Sequence, residues 1–340
     1  MGQGGQVRRI EAAMKTQRRK FLRLMAGAAT LPLFPLLPRV ASADAYPTRP
    51  VRILVGYPAG IAPDIFSRLA AQGLSERLGQ QFIVENRPGA NSNVATELVV
   101  RASPDGYTLL TMTATNAINA TLYEGHLNFD LLRDLAPVGG LMRSASVIQV
   151  TPSLPVQTLA EFIAYAKANP GKLNYASAGS GSATNVAGEL FRMMTGIDLV
   201  HIAYHSNYLP DLMSGQVQAS FSPVAQSIEF IKAGKLRPLA VTSATRLEAL
   251  PDVPAANEIV PGYEAYVWDA MGAPANTPSD VIDKINTALN DALITPTMKA
   301  RYAALGAEPM IMTPAEFGKF LAAETEKWGK VIKTSGIKAE

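Results

Sequence analysis

VRILVGYPAGIAPD, residues 51–64, carries the pattern on which the fold prediction depends. Its first half is a short apolar run typical of a buried strand, and its second half is a glycine loop that ends at Asp64. The next residues, 64–78, place apolar side chains at helical spacing: Phe66, Leu69, Ala70, Leu74 and Leu78. We therefore predict a strand, a loop and a helix in succession, the repeating unit of an α/β fold.

The same alternation continues along the chain and predicts largely parallel strands. Strands are predicted at 82–85, 107–112, 173–176, 199–203, 217–221, 237–242 and 266–272. Helices are predicted at 93–102, 183–195, 225–233, 279–293 and 298–305, with further helices after the capping boxes at Thr158 and Thr313. A proline-rich return connection at 250–261 makes the first domain discontinuous, so we expect one lobe from 44–145 plus 264–340 and a second lobe from 146–263.

Residues 1–43 have the layout of a cleaved export signal. The pair Arg18-Arg19 precedes an apolar run, which ends before Ala41-Ser42-Ala43. The arginine pair favours the twin-arginine route, with a general secretory signal as the alternative. We expect the mature chain to start near Asp44 and to be periplasmic.

Composition excludes several classes of function. The 340-residue chain has no cysteine, which excludes a thiolate metal site and a cysteine nucleophile. The signal segment holds 8 of the 31 Lys and Arg residues and 1 of the 28 Asp and Glu residues, so the remaining chain carries a net charge of −4. A weakly acidic surface does not favour nucleic acid as a partner.

Two glycine loops are candidate ligand-binding elements, and each lies between a strand and a helix. They are Tyr57-Pro58-Ala59-Gly60-Ile61-Ala62-Pro63-Asp64 and Ser177-Ala178-Gly179-Ser180-Gly181-Ser182-Ala183-Thr184. Loops at strand ends line the ligand crevice of open α/β sheets, and the helix start that follows each loop favours an anion. Two ordinary tight turns remain the alternative. Tyr57 and Tyr208 are predicted to line the cleft wall, whereas Tyr204 could belong to the wall or to the core.

Enzyme, cofactor and metal interpretations fail on detail. The second loop resembles a dinucleotide fingerprint, but Thr184 occupies the third glycine position and no carboxylate follows the next strand. It also lacks a hydrolase nucleophile elbow. The histidines are His126, His201 and His205, and no acidic residue accompanies them to form a metal site. We predict no catalytic residue, no cofactor and no metal.

Collinear motifs identify a family resemblance over 46–340. They include Glu85-Asn86-Arg87-Pro88-Gly89-Ala90, Pro104-Asp105-Gly106-Tyr107, Leu173-Asn174-Tyr175-Ala176-Ser177, and Leu250-Pro251-Asp252-Val253-Pro254. In this order they resemble the substrate-binding proteins of the tripartite tricarboxylate transporter family, the Bug-type periplasmic receptors. The resemblance implies a two-lobed, type II-like periplasmic-binding-protein fold, each lobe a mostly parallel sheet flanked by helices. It also implies a monomer that closes on a small organic carboxylate and delivers it to a two-component membrane permease.

The resemblance also implies which residues hold the carboxylate. Residues 59–62 would form one side with Asp64 supporting the loop, residues 177–184 the opposite side, and Thr113-Ala114-Thr115-Asn116 a third side. Four features depart from the common pattern: Ile61 for glycine, Asn185 for histidine, a short segment at 204–211, and Ser222-Pro223 for Asp-Asn. These departures disfavour amino acids and favour a mono- or dicarboxylate with an apolar or aromatic body. A sensor subunit that presents the same ligand to a membrane kinase is the alternative function.

Overall fold

The computed structural model describes residues 46–204 and 207–338. The predicted export signal therefore lies outside the described residues. No helix in the described part of the chain is long and apolar enough to cross a membrane.

In the described residues, ten strands form one continuous mixed sheet. They are β1 (Val51–Val55), β2 (Phe82–Asn86), β3 (Thr108–Thr113), β4 (Leu135–Val150), β5 (Leu173–Ser177), β6 (Leu199–Ala203), β7 (Ala219–Pro223), β8 (Arg237–Val241), β9 (Tyr266–Pro274) and β10 (Glu308–Pro309). The order across the sheet is β2-β1-β3-β9-β4-β7-β5-β6, with β8 and β10 also pairing with β4.

Eleven α-helices in the described residues cover this sheet. They are α1 (Ala62–Leu78), α2 (Asn93–Val100), α3 (Ala114–Leu122), α4 (Leu131–Asp134), α5 (Leu159–Ala168), α6 (Ala183–Thr195), α7 (Leu209–Ser214), α8 (Val224–Lys232), α9 (Ser279–Leu293), α10 (Pro296–Ala304) and α11 (Pro314–Ser335). The predicted capping box at Thr313 is present, because the Thr313 hydroxyl and the Glu316 carboxylate cap each other's backbone N–H groups.

The expectation of largely parallel strands holds only at the two ends of the sheet. β1 pairs in parallel with β2 and β3, and β5 pairs in parallel with β6 and β7. Every ladder made by β4 and β9 is antiparallel. The physical reason is that the chain passes between the two halves of the sheet at two crossing strands. β4 extends from the first half (β1, β2, β3, β9 and β10) into the second half (β5 to β8), and β9 brings the chain back into the first half, whereas the outer strands are joined by helical crossovers.

The sequence pattern missed five elements: β4, β10, α3, α4 and α7. β4 is a 16-residue strand whose sequence contains two adjacent glycines and several polar residues, so it lacks the alternation that marks a strand. Residues 114–116, expected to form a third side of the ligand site, lie in the first turn of α3, which starts directly after β3.

The register of β4 determines where a ligand cleft can form. At the carboxyl end of β3, Thr113 pairs with Asp269 of β9, and Asp269 pairs in turn with Met142 of β4. Thr113 and Met142 are therefore at the same height in the sheet. At the carboxyl end of β7, Pro223 lies opposite Ser146 of β4. β3 and β7 run in opposite directions, so their carboxyl ends approach each other along β4. Four residues of strand separate them by roughly 13 Å.

Two tryptophans fix the last helix to the crossing strands. The indole N–H groups of Trp268 on β9 and Trp328 on α11 both donate to Oε2 of Glu324, at 2.9 and 2.8 Å. Glu324 also pairs with Lys327. Both rings are almost completely buried, so the carboxylate joins helix and sheet inside the core.

A second buried group links the two places where the chain crosses between the sheet halves. The Thr242 hydroxyl accepts from the backbone N–H of Ser146 at 2.9 Å and donates to the backbone oxygen of Ala265 at 2.5 Å. Thr242 has no exposed surface, so no water replaces either bond. One side chain thus joins β4 to the segment that leads into β9.

We predict that Thr242→Val destabilises the protein by about 2 kcal/mol, because valine keeps the shape but leaves two buried backbone groups without a partner. Chemical denaturation measures the change. The exposed Thr245→Val is the matched control and should change stability by no more than about 0.5 kcal/mol. Equal effects of the two variants would contradict this role for Thr242.

Candidate functional site

The carboxyl ends of the strands bring the predicted site residues to the junction of the two sheet halves. The first loop follows β1, and Thr113 ends β3. The second loop follows β5, Tyr204 follows β6, and Ser222 lies near the end of β7. The sequence-predicted residues therefore fall on strand ends that approach the same stretch of β4 from opposite sides.

Asp64 shapes the first loop. Its carboxylate accepts hydrogen bonds from the backbone N–H of Gly60 at 2.9 Å and from the Asn86 amide at 2.9 Å, and it pairs with Arg68 at 2.8 Å. Burial opposes ionisation of Asp64, but these hydrogen bonds outweigh it and hold the pKa below its usual value. The negative charge of Asp64 is therefore stabilised by its own neighbours and holds the backbone of the loop in place.

Tyr57 and Thr113 join the first loop to the start of α3. The two hydroxyls lie 3.1 Å apart, and the Thr113 backbone N–H donates to Oδ1 of Asn116 at 2.8 Å. Tyr57 is half-buried with its hydroxyl inside, so burial raises its pKa while hydrogen bonds with Thr113 and Thr115 partly offset the shift. This wall of the site is neutral and rich in hydroxyl groups.

Most backbone N–H groups of the second loop donate hydrogen bonds to groups in the loop itself or in the first turn of α6. The N–H of Ala178 donates to Thr184, that of Gly179 to the Ser177 hydroxyl, and that of Gly181 to Oδ1 of Asn185. The Ser182 hydroxyl donates to the Gly179 oxygen at 2.7 Å. Donors for a ligand must therefore come from hydroxyls and from the first turn of α6 more than from the loop amides.

A buried chain of polar groups supports the second loop from below. The Asn185 amide donates to the Tyr175 hydroxyl at 2.8 Å, and that hydroxyl donates to Glu189 at 2.5 Å. Arg192 pairs with Glu189 at 2.9 Å. Asn185, identified from the sequence only as a departure from the common histidine, thus connects Gly181 to an ion pair on α6.

Tyr204, Tyr208 and Ser222 form a separate cluster. The Tyr208 and Ser222 hydroxyls lie 2.9 Å apart, and the Gln149 side-chain amide lies 3.0 Å from Ser222. Tyr204 donates to Asp211 at 2.7 Å and makes an edge contact with the Tyr208 ring. Tyr208 is 5% exposed and Ser222 has no exposed surface, so in this structure both are core residues beneath the second sheet half.

The predicted site residues differ in exposure. The exposed ones are Ala59, Gly60, Ile61, Ala62 and Ala178. The half-buried ones are Tyr57, Thr115, Ser180, Ser182 and Tyr204. The buried ones are Asp64, Thr113, Asn116, Ser177, Gly179, Gly181, Thr184, Tyr208 and Ser222. The first two sets have side-chain or backbone surface open to solvent, whereas the third set is enclosed by the protein.

The hydrogen-bonding groups exposed around the two loops are neutral. The two buried carboxylates that support these loops, Asp64 and Glu189, are each paired with an arginine. Ser177 lies 2.6 Å from Nε2 of His201, but its hydroxyl is buried and also bonds within the loop. Residues 46–204 and 207–338 contain no cluster of three or more His, Cys, Asp or Glu side chains that could hold a metal ion.

A family model described as tripartite tricarboxylate transporter family receptor matches residues 66–337. The chain belongs to this family. The resemblance drawn from its sequence motifs is therefore confirmed, and its family is one of solute-binding receptors.

Similar proteins agree with this assignment. Protein BugT of Bordetella pertussis is 34% identical over 302 residues, which cover 87% of this chain and 92% of BugT. The structure of R. palustris Rpa4515 with adipate is 35% identical, has a TM-score of 0.74, and is matched over 86% of this chain and 99% of that one. MatC from Rhodopseudomonas palustris with bound malate is 26% identical with a TM-score of 0.70, over 84% of this chain and all of MatC. The expected two-lobed periplasmic-binding-protein fold is thereby confirmed.

Gly181 is the point where the second loop meets the first sheet half. Its φ is +72°, and a Cβ there would lie 2.4 Å from Cδ2 of Leu122 at the end of α3. A side chain at this position therefore meets both backbone strain and a collision.

We predict that Gly181→Ala destabilises the protein by about 2 kcal/mol, roughly 1 from the positive φ and roughly 1 from displacing the half-buried Leu122 side chain. Gly234→Ala is the matched control, since φ is +67° there with open space around it, and it should cost about 1 kcal/mol. In a Leu122→Ala background the cost of Gly181→Ala should fall to about 1 kcal/mol, measured by denaturation of all four proteins. An unchanged cost in that background would show that Leu122 is not the obstacle.

Proposed function

We propose that this protein is an exported receptor that captures a small organic carboxylate between its two lobes, 44–145 with 264–340 and 146–263. Hinge closure about the crossing strands would bring the two loops onto the ligand. The observation that carries the proposal is the placement of two glycine loops, which contain no Lys or Arg and whose one carboxylate, Asp64, is paired with Arg68, on strand ends that face each other across β4. Contacts from both lobes would be complete only in the closed state, so the ligand would shift the population toward it.

Neutral donors suit a carboxylate whose charge the protein need not cancel. Helix starts with exposed N–H groups and oriented hydroxyls stabilise an anion, and bridging waters complete the contacts. Thr115, Ser180 and Ser182 are half-buried hydroxyls at the starts of α3 and α6. The candidate carboxylate cradle consists of these three groups with Tyr57 and the loop 59–62.

The chemistry of the neighbours supports a dicarboxylate as the first ligand class to test. The 35% identical R. palustris protein was solved with adipate, and MatC was solved with malate. Ile61 is 42% exposed at the tip of the first loop and would give the site an apolar surface. This favours an acid with a hydrocarbon body, such as adipate, over a hydroxylated acid such as malate.

Membership of a transporter receptor family supports delivery of the ligand to a membrane permease in the periplasm. In that setting residues 1–43 would direct export and be removed. We further propose that the receptor acts as a monomer, since the cleft is built from strand ends of a single chain.

We predict that adipate at about 100 times its Kd raises the melting temperature by roughly 5 °C, because a ligand of the folded state alone stabilises it by mass action. The screen uses mature protein, 44–340, unfolded and refolded to remove carried ligand, against mono-, di- and tricarboxylates, aromatic acids, amino acids and nucleotides. Stabilisation by nucleotides with none by carboxylates would contradict the proposal.

A variant locates the site in the same experiment. Tyr57→Phe should weaken adipate binding by about tenfold, since one hydrogen bond to a charged group contributes about 1.5 kcal/mol. Tyr165→Phe on α5, a half-buried tyrosine away from the strand ends, should leave the Kd unchanged. Equal affinity for both variants would remove Tyr57 from the site.

A further inference from the structure

Asp269 is a buried carboxyl group at the level of the candidate site. It lies on β9 in register with Thr113 at the end of β3 and with Met142 on β4. Its side chain is 1% exposed. Side chains alternate along a strand, so Asp269 shares the face of Met271, which packs in the core beneath α1, α9 and α10. It therefore sits directly behind the wall made by Tyr57 and Thr113.

This carboxyl group has nothing to compensate its charge. Among the described residues, neither oxygen of Asp269 has a hydrogen-bond partner. Tyr302 of α10 lies on the same face, and its buried hydroxyl likewise has no partner in the part of the chain described. The Tyr57 hydroxyl, on the loop side, is engaged with Thr113. A charged carboxylate in such surroundings is unfavourable, whereas the neutral acid is tolerated.

Other titratable groups around this face do not supply a balancing charge. Burial raises the pKa of both Tyr57 and Tyr302, and a negative charge on Asp269 would raise each of these pKa values further. Charged side chains on α1, α9, α10, β4 and β10 are paired or at the surface: Asp64 with Arg68, Arg143 with Glu308, and the exposed Asp283, Asp291, Lys299 and Arg301. Burial alone raises the pKa of Asp269 to about 8. At neutral pH the group is therefore mostly the uncharged acid.

We propose that Asp269 makes carboxylate binding proton-linked: the receptor binds its anionic ligand with Asp269 as the neutral acid, and ionisation of Asp269 weakens binding. This inference rests on the proposed function, because it requires an anion on the other side of Tyr57 and Thr113. An ionised Asp269 would place a second, unpaired negative charge close to the ligand in a region of low dielectric. Asp269 acts through the wall residues and is a positioning residue.

The direction of the effect follows from linkage. Below pH about 7 Asp269 is already neutral, so affinity should not change with pH. The free receptor has lost half of this proton at pH about 8 and most of it above pH about 9, and it must then take the proton back from solvent on binding. With complete coupling, affinity then falls by about tenfold per pH unit, and each binding event takes up close to one proton.

The experiment is calorimetric titration of the mature protein with adipate from pH 6 to 9.5, in buffers of different ionisation enthalpy so that proton uptake is counted. Wild type should lose about fivefold in affinity between pH 8 and 9 and take up protons. Asp269→Asn, which mimics the neutral acid, should bind as wild type does at pH 6.5 and keep that affinity at pH 9. Asp283→Asn, an exposed carboxyl on α9, is the control and should follow wild type.

Two results would overturn the inference while leaving the proposed function intact: pH-independent binding by wild type, or the same loss of affinity in Asp269→Asn. Failure of wild type to bind any carboxylate of the panel would overturn the proposed function and the inference with it. A ligand-free measurement guards against a misfolded variant. Because the pKa of Asp269 is higher in the folded protein than in the unfolded chain, the stability of wild type should decrease as pH rises from about 4 to 8. Asp269→Asn should not show this decrease. A variant with the wild-type stability profile would also overturn the inference.

Discussion

The architecture depends on one strand that hydrogen-bonds in both halves of the sheet. The first part of β4 pairs with β9, and its last five residues pair with β7. This shared ladder fixes how far β3 and β7 can extend before their carboxyl ends meet at the junction. It also places Thr242 and Ser146 at the crossing, where one hydroxyl ties the two connections together. The candidate site, the proposed hinge and the position of Asp269 all follow from this register.

The loops around the junction show how a binding surface can be rigid without being charged. Asp64 and Asn185 are buried, and each accepts a hydrogen bond from the N–H of a loop glycine. The Asp64 carboxylate is paired with Arg68. The Asn185 amide donates to the Tyr175 hydroxyl, which in turn donates to Glu189, the partner of Arg192. Polar groups that a sequence pattern assigns to the ligand are thus used to hold backbone shape. In the proposed function the ligand would contact the hydroxyls and helix starts that remain.

Much of this fold is predictable from the sequence because strand, loop and helix are local signals. The β1–α1 and β5–α6 units, the helix ends at Gly79 and Gly196, and the Thr313 capping box are confirmed at nearly the predicted residues. The antiparallel pairing of β4 is not local. Its glycines exist for contacts with distant residues: a Cβ on Gly140 would lie 2.3 Å from the backbone oxygen of Met310. The role of Asn185 is equally non-local, since it depends on Tyr175 lying beneath the loop. Asp269 is visible in the sequence as a single charged residue inside an otherwise apolar strand. The periodicity of the strand does not reveal what role that charge has.

The central claim is that a carboxylate draws the two lobes together about β4, and a distance between lobes tests it most directly. The chain has no cysteine, so Val94→Cys on α2 and Gln226→Cys on α8, both at exposed positions near the strand ends, would carry two spin labels and no others. Pulsed electron paramagnetic resonance would give the distance between the two labels, both without ligand and with the carboxylic acid that gives the largest increase in melting temperature. We expect a shorter distance and a narrower distribution with the acid bound. An unchanged distribution at saturating ligand would contradict closure between the lobes.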